Sequence, residues 1–511
     1  MLLKFTLKRL FLLQVFLQKK KSMKNQQNSV SSTLLILKKR SLILFQFFLI
    51  IIVYHTLKDL KDTIVITASD AGAEIIPFIK IWGMLPLAIC ASYSFAKFYN
   101  KFGREKTFYI FSSFLLVNYL FFAFVLYPFR KFFYLENVAD YLHIILPVGA
   151  KGFVAMVSYW HYTLFYLTAE LWSMLILSIL FWGYVSDTTS LVEAKKFYPL
   201  CMFVGNMAGI ISGQLSHFLC QHLSDFMSWE RTLQWMIGIV CVCGLLIMII
   251  NRRLALTTDF SAIKQKEKKQ IAPSSFKDNV MDVLRTGPLL CIAVLVVGFG
   301  LTTNLIEVIW KENIRQLHPT PQAYNAYINQ LTSLIGTGAV CIALLSSWIF
   351  RKFTWTQIAL TTPLCLLITS SAFFSSLLMP KELLAKVASF FQFSPTQLIV
   401  TLGSICYVFS MSAKYTIFDT SKEIAFLSIE TEKRTYAKSV IDSIGSRLGK
   451  SGASCFYQFL LIAFGIASEH ILLIGIVSII MIGISIFATK KLGGQLSGKN
   501  ENHRFIEASH G

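Results

Sequence analysis

The chain has 511 residues, 55% of them hydrophobic and only 15% charged, with a mean hydropathy of +0.59, which is too apolar for a water-soluble fold of this size. Apolar runs of about 18 or more residues recur along its length, and roughly 20 cross a hydrocarbon core. A membrane β-barrel is excluded, because it would show period-two alternation over segments of about 10 residues. The net charge of +21 does not mark a nucleic-acid binder, since much of it lies in short segments between apolar runs.

Met1 to Lys21 is basic, apolar and acid-free, like a signal or transit-like segment, but lacks a small-residue cleavage site. A start at Met23, opening Met-Lys-Asn-Gln-Gln-Asn-Ser, reads equally well. Residues 1–40 read as a cytoplasmic N-terminal segment. Apolar spans follow near 41–57, 75–96, 107–128, 158–185, 197–220, 231–250, 287–309, 323–350, 354–378, 397–420, 447–467 and 470–489. The fold class is therefore an all-α polytopic membrane protein of about 12 transmembrane helices. Lys and Arg concentrate in alternate connections, at Lys38-Lys39-Arg40, Lys97 to Lys106, Lys195-Lys196, Arg252 to Lys269, Arg351-Lys352, Lys433 to Lys438 and Lys490-Lys491. The positive-inside rule places these, and both termini, in the cytoplasm.

The longest polar connection splits the spans six and six, as parallel repeats would. This gives an N-terminal six-helix bundle over 41–250, a cytoplasmic basic linker over 251–285, a C-terminal six-helix bundle over 286–490 and a cytoplasmic tail over 491–511. A self-shift of 253 residues lays 161–171 on 414–424 and matches Tyr162 with Tyr415, Thr163 with Thr416, Phe165 with Phe418 and Glu170 with Glu423. That match suggests a duplication in which the fourth spans correspond. The ten Cys are scattered, mostly within apolar runs, and read as buried small hydrophobes rather than metal ligands or a disulfide frame.

Ionised side chains inside apolar spans cost about 2.5–3.5 kcal/mol each on insertion scales, so each must be paired, wetted or used. Five clusters stand out: Lys58-Asp59-Leu60-Lys61-Asp62 with Glu74 and Lys80; Glu170; Glu307 and Lys311; Lys414, Asp419, Lys422 and Glu423; and Arg447 with Lys450. Lys58 and Asp62, like Glu307 and Lys311, are four apart and share a helix face. For Lys58, Lys80, Arg447 and Lys450 a structural ion pair, or a charge reaching the interface, competes with a functional role. Glu170 has no cation within a helical turn, so its partner comes from another helix or from cargo. Many cations in both halves suit a polyphosphate, whose charges are desolvated against several Lys or Arg donors. Tyr54, Tyr162, Trp172, Tyr415 and Phe418 are aromatics able to stack a base, though such residues more often pack helices. Gly445 to Ser451 falls one residue short of a phosphate loop and follows no strand; its glycines fit close helix approach instead.

These residues lie in stretches that resemble the nucleotide transporters of obligate intracellular bacteria and plastids, the ATP/ADP translocases. The stretches are 57–67, Ala71 to Lys80, Ala169-Glu-Leu-Trp172, Glu193 to Leu200, Ala413 to Asp419 and Asp442 to Gly452. The resemblance implies a major-facilitator-like fold, exchange of host ATP for bacterial ADP without hydrolysis across the bacterial inner membrane, and transport-critical charges at Lys61, Glu170, Glu307 and Lys422. The chain departs from the family pattern at Ser69-Asp70 and at Thr420-Ser421, where prolines are usual, and a lost proline would straighten a helix. Since the family includes proton-coupled nucleotide importers, net import of GTP, UTP, ATP or NAD on the same fold is the alternative. The substrate-binding set expected is Lys61, Glu170, Glu307, Lys422, Arg447 and Lys450. Lys58, Asp62, Lys80, Lys311, Lys414, Asp419, Glu423, Tyr162 and Tyr415 are secondary candidates. No cofactor, metal or enzymatic activity is expected; the partners are a nucleotide and the bilayer, and the carrier is a monomer. A membrane-embedded transferase would need a nucleophile or metal set, and the nine His form none. A scaffold would have no use for charges in mid-span.

Overall fold

The computed structural model describes residues 38–68, 71–189, 191–222, 226–256, 276–427, 429, 437–438, 440–465 and 470–509. Most of the N-terminal segment 1–40, the linker core 257–275, Ser69-Asp70, the Lys433 end of one basic connection and the last two residues of the tail lie outside them. The described residues are helical throughout, without a strand. Where water is absent only a helix pairs every backbone group within one segment. We number the long helices α1 (Lys38–Ala68), α2 (Gly72–Leu126), α3 (Trp160–Thr188), α4 (Leu191–Gln221), α5 (Trp229–Leu256), α6 (Gly287–Leu317), α7 (Pro321–Lys352), α8 (Trp355–Leu378), α9 (Pro395–Leu427), α10 (Ser446–Phe464) and α11 (Ile471–Ser509).

Nine helical segments among the described residues are long and apolar enough to cross a membrane. The 55-residue α2 would be about 80 Å long at ~1.5 Å per residue, far beyond a bilayer, and it contains two of the predicted spans. It breaks at Gly103, whose φ of 74° suits a residue without Cβ. Beyond the break the chain folds back, bringing the Phe98 and Phe111 rings to 5.8 Å. Every predicted span falls on a helix, with α4 and α10 occupying two outside the nine.

Local sequence explains where several helices begin. Thr320 and Ser394 accept hydrogen bonds at the starts of α7 and α9, each followed by Pro at the first helical position. Thr354 and Gln357 close a reciprocal capping box on α8. In the C-terminal half α6 packs on α9, α10 and α11, and α8 on α9 and α11; in the N-terminal half α2 packs on α5 and α3. The halves meet along α4 and α7, and where the start of α2 touches α10. Of the ten Cys, six are buried, but Cys90, Cys341 and Cys455 are exposed. Their helix faces lie outward, and the expected burial does not extend to them.

The 253-residue register does not survive in three dimensions. Glu170 lies in the first half of α3, whereas Glu423 lies in the last turns of α9. The cause is the connection 127–159, which is much longer than its counterpart 379–394, so a gapless shift slides the fourth spans past each other. The better correspondence is between α1 and α6, both 31 residues long. There Lys58 and Asp62 occupy the same turn as Glu307 and Lys311, with the charges reversed.

A candidate charge-relay site between the two halves

Lys61 and Asp62 stand side by side on α1 and are buried, with side chains 6% and 5% exposed. The Lys61 Nζ lies 2.8 Å from Asp62 Oδ1 and 3.0 Å from Glu170 Oε1 of α3, and 3.8 Å above the Tyr166 ring. Asp62 Oδ2 in turn accepts from Lys311 Nζ of α6 at 2.7 Å. Lys311 donates to Glu307 Oε1 at 2.6 Å along one helix face. Glu307 Oε2 is 3.7 Å from Lys80 Nζ of α2, which donates to Asn304 Oδ1 at 2.7 Å. The order Glu170, Lys61, Asp62, Lys311, Glu307, Lys80 alternates in sign and crosses from one half of the molecule to the other. Three carboxylates balance three ammonium groups, so no lone charge is left in the apolar interior.

Local helix geometry assists this. Lys80 lies in the π-helical stretch Ile79–Met84, another follows Glu170 over Trp172–Phe181, and a third covers Lys414–Phe418. A widened turn redirects side chains that a regular α-helix would carry away from the axis.

Beside the relay, Lys58 lies 3.7 Å from Asp59 Oδ1, and Asp59 Oδ2 accepts from Thr332 of α7 at 2.8 Å. A narrow cleft lies between Lys58, Asp59, Asp62, Lys311, Trp310 and Tyr407. Tyr54, Tyr407 and Tyr415 surround Lys58 within electrostatic range. Lys414 pairs with Asp419 at 3.5 Å and lies over the Tyr415 ring. Lys422 is held by Asp442 at 2.6 Å and lies 4.0 Å from Asp419.

Arg447 and Lys450 are exposed and make no ion pair among the described residues. Lys450 is within electrostatic range of Glu170 from the opposite half. Gly449 lets α10 lie close on α6: a Cβ there would stand 2.7 Å from the Val297 carbonyl, whereas Gly445 and Gly452 have room to spare.

Of the predicted residues, Lys61, Glu170, Glu307, Asp62, Lys80 and Lys311 form one cluster, with Lys58 beside it. Lys422, Lys414, Asp419 and Tyr415 form a second group on α9. Four candidates lie outside both groups: Arg447 and Lys450, exposed on α10, and Tyr162 and Glu423. Tyr162 is buried in an aromatic cluster with Tyr159 and Tyr127 at 5.7 and 5.9 Å, and Glu423 pairs with Lys438 at 2.5 Å on the surface. Glu423 was expected among the mid-span charges and Tyr162 among the stacking aromatics, and both also lie in the 253-residue match, whose register fails. Trp172 also packs, donating to the Ile50 carbonyl at 3.3 Å, and Phe418 stacks on Phe299. Asn304, Tyr166, Thr332 and Asp442 were not foreseen. Asn304 and Tyr166 lie one helical turn before Glu307 and Glu170, a spacing that offers a signal. Thr332 has none.

At the end of the molecule bearing the 129–150 connection the halves are tied together. Ala73 N–H donates to Glu312 Oε2 at 2.9 Å, Arg315 holds the same carboxylate, and Gln458 donates to the Pro77 carbonyl at 2.7 Å. Gly149 sits so close to the Leu461 backbone that no Cβ fits.

A family model described as "TLC ATP/ADP transporter" matches residues 18–496. "ADP,ATP carrier protein 2" of Chlamydia pneumoniae is 32% identical over 462 residues, covering 86% of this chain and 85% of that protein. "ADP,ATP carrier protein 1, chloroplastic" of Arabidopsis thaliana is 33% identical, covering 87% and 72%. Among solved structures, a bacterial homologue of the iron transporter ferroportin in an inward-facing state aligns with a TM-score of 0.59 at 12% identity, over 89% of this chain and 99% of that one. The inward-open xylose transporter XylE of E. coli gives 0.52 at 11%, over 89% and 95%. At such identities these two establish the major-facilitator-like fold alone.

Proposed function

The chain belongs to the TLC ATP/ADP transporter family, and on that premise we propose that it exchanges ATP for ADP across a membrane by alternating access, two bundles rocking about the central relay. The observation that carries this reading is the sign-alternating row from Glu170 to Lys80. It is neutral when empty, and it offers lysines to a polyphosphate only when its carboxylates are displaced.

Lys61 and Lys450, flanking Glu170 from the two halves, take the phosphates, with Arg447 one turn from Lys450 as the first cation met. Lys422 exchanges Asp442 for phosphate in the same way. When Lys61 turns to phosphate, Glu170 is released to accept a hydrogen bond from ribose or base. Without nucleotide, rocking separates Asp62 from Lys311, and breaking a buried pair costs about 3–5 kcal/mol. The empty carrier therefore does not reorient freely, which makes transport an exchange. Nothing in this cycle calls for hydrolysis, and we read the protein as a carrier rather than an enzyme.

In this reading both termini lie in the cytoplasm of a bacterium and the carrier is a monomer in the inner membrane; the basic connections support that orientation. The bundles are 41–250 and 286–490, joined by the linker 251–285. The tied end then faces away from the cytoplasm, and exposed Arg447 and Lys450 face the open side.

Counterflow in proteoliposomes tests the reading. Labelled ATP should enter vesicles loaded with ADP many times faster than empty ones, and a protonophore should leave the rate unchanged. Equal rates in loaded and empty vesicles, with collapse by protonophore, would replace exchange by proton-coupled import. Competition by ATP, ADP, GTP, UTP and NAD identifies the base.

A further inference from the structure

Two short helices lie at the tied end, outside the spans: Glu136–Ile145 in one half and Lys381–Phe390 in the other. Each occupies the connection into the span that bears site charges, the first leading to α3 with Glu170 and the second to α9 with Lys414 and Lys422.

Both have three faces. In the first, Ala139 is buried against the protein and Leu142 half-buried, Val138, Tyr141 and Ile145 form an exposed apolar strip, and Glu136, Asn137, Asp140 and His143 form an exposed, mainly polar one that also carries exposed Ile144. In the second, Leu384 and Ala388 are buried, Leu383 and Phe390 are exposed and apolar, and Lys381, Glu382, Lys386 and Ser389 are exposed and polar. At ~3.6 residues per turn the three faces follow in the same rotational order in both helices. The recurrence in both halves is independent of the failed sequence register.

A helix at a two-way boundary needs only two faces. Three are required where a bundle, a hydrocarbon layer and water meet. Tyr141 is 63% and Phe390 83% exposed, which is unfavourable in water. We propose that both helices lie flat in the lipid headgroup and acyl boundary at this end, with the apolar strip down, the polar strip in water and the third face on the bundle. The inference rests on the membrane reading of the long helices. Phe129 and Phe132 shortly before the first helix, and Leu378 and Phe391 flanking the second in sequence, are likewise apolar and exposed. Arg130, Lys131, Lys381 and Lys386 supply cations at headgroup level. A two-fold contact with a second copy would cover one of these helices and leave its counterpart bare, whereas a bilayer covers both. The arrangement anchors the site-bearing fourth span of each half at a set depth.

The test uses the full chain in lipid nanodiscs, with Cys90, Cys341 and Cys455 replaced by Ser and one spin label at a time. Labels go at Tyr141 and Phe390 on the apolar strips, Asn137 and Glu382 on the polar strips, and Phe114 and Ile368 on the spans. Relaxation by oxygen should exceed relaxation by a water-soluble nickel chelate several-fold at Tyr141 and Phe390, as at Phe114 and Ile368, and the order should reverse at Asn137 and Glu382. If Tyr141 and Phe390 match the polar strips while the span positions favour oxygen, the inference fails and the membrane reading stands. Exclusion of both relaxants with spin–spin broadening at Tyr141 or Phe390 assigns the strip to a second copy and likewise overturns it. Nickel access at Phe114 and Ile368 overturns both.

Discussion

At Lys61 two carboxylates and a tyrosine ring share one ammonium group. Replacing it by Gln leaves Asp62 one cation and Glu170 without its close partner. Lys61→Gln is expected to weaken nucleotide binding by tenfold or more, about 1.4 kcal/mol, measured by calorimetry on the purified carrier; unchanged affinity removes Lys61 from the phosphate site. The Asp62 and Lys311 pair allows a sharper test, because its members sit on corresponding turns of α1 and α6 and touch at 2.7 Å. Asp62→Asn and Lys311→Gln should each remove the barrier to reorientation of the empty carrier, about 3–5 kcal/mol for a buried pair, and so abolish most of the preference for loaded over empty vesicles in the counterflow assay. The double change Asp62→Asn with Lys311→Gln should have little more effect than either single change, since all three remove the same pair. Effects that simply multiply would show that the two act separately. Glu423→Gln and Tyr162→Phe, away from the relay, should leave exchange within about twofold, as surface and packing positions do. The mid-span charges were legible because the bilayer makes each one an exception. Their partners were not, since Asp62 and Lys311 are brought together only by the packing of α1 on α6.

On the scale of single helices, the π-helical stretches at Lys80, after Glu170 and at Lys414 lie where the relay and its neighbours need side chains redirected. Periodicity does not reveal them, because one extra residue in a turn leaves an apolar run apolar. Glycine was legible as a helix-contact signal, but not which glycine. Gly449 alone of its three lies against another backbone. Gly449→Val therefore overpacks α10 on α6, at about 1–3 kcal/mol, and should lower the thermal midpoint in detergent by several degrees, while Gly452→Ala leaves it in place. If both behave alike, the close approach of α10 to α6 is not what Gly449 serves. The missing prolines at Thr420-Ser421 agree with the uninterrupted helix Asp419–Leu427.

For the molecule as a whole, the tied end is a polar latch. Glu312 caps the start of α2 from the other half while Arg315 holds its carboxylate. Glu312→Ala should raise the labelling rate of a cysteine at buried Ile76 by an impermeant thiol reagent added from that side. No change would locate the closing force elsewhere, in Gln458 or the Gly149 contact.

The apolar runs by themselves determined that this chain is a helical membrane protein, because a bilayer forbids unpaired backbone and prices every charge. Alternating basic connections gave an expectation of sidedness, and the rare mid-span Lys and Glu marked where to look for the site. Tertiary structure alone decided that Glu170, Lys61, Asp62, Lys311, Glu307 and Lys80 form one neutral row. It also decided that Glu423 and Tyr162 stand apart from that row. The reason is physical: span identity follows from hydropathy along the chain, whereas charge pairing across helices depends on depth and rotation, which loop lengths and π-turns shift without leaving a trace in the apolar pattern.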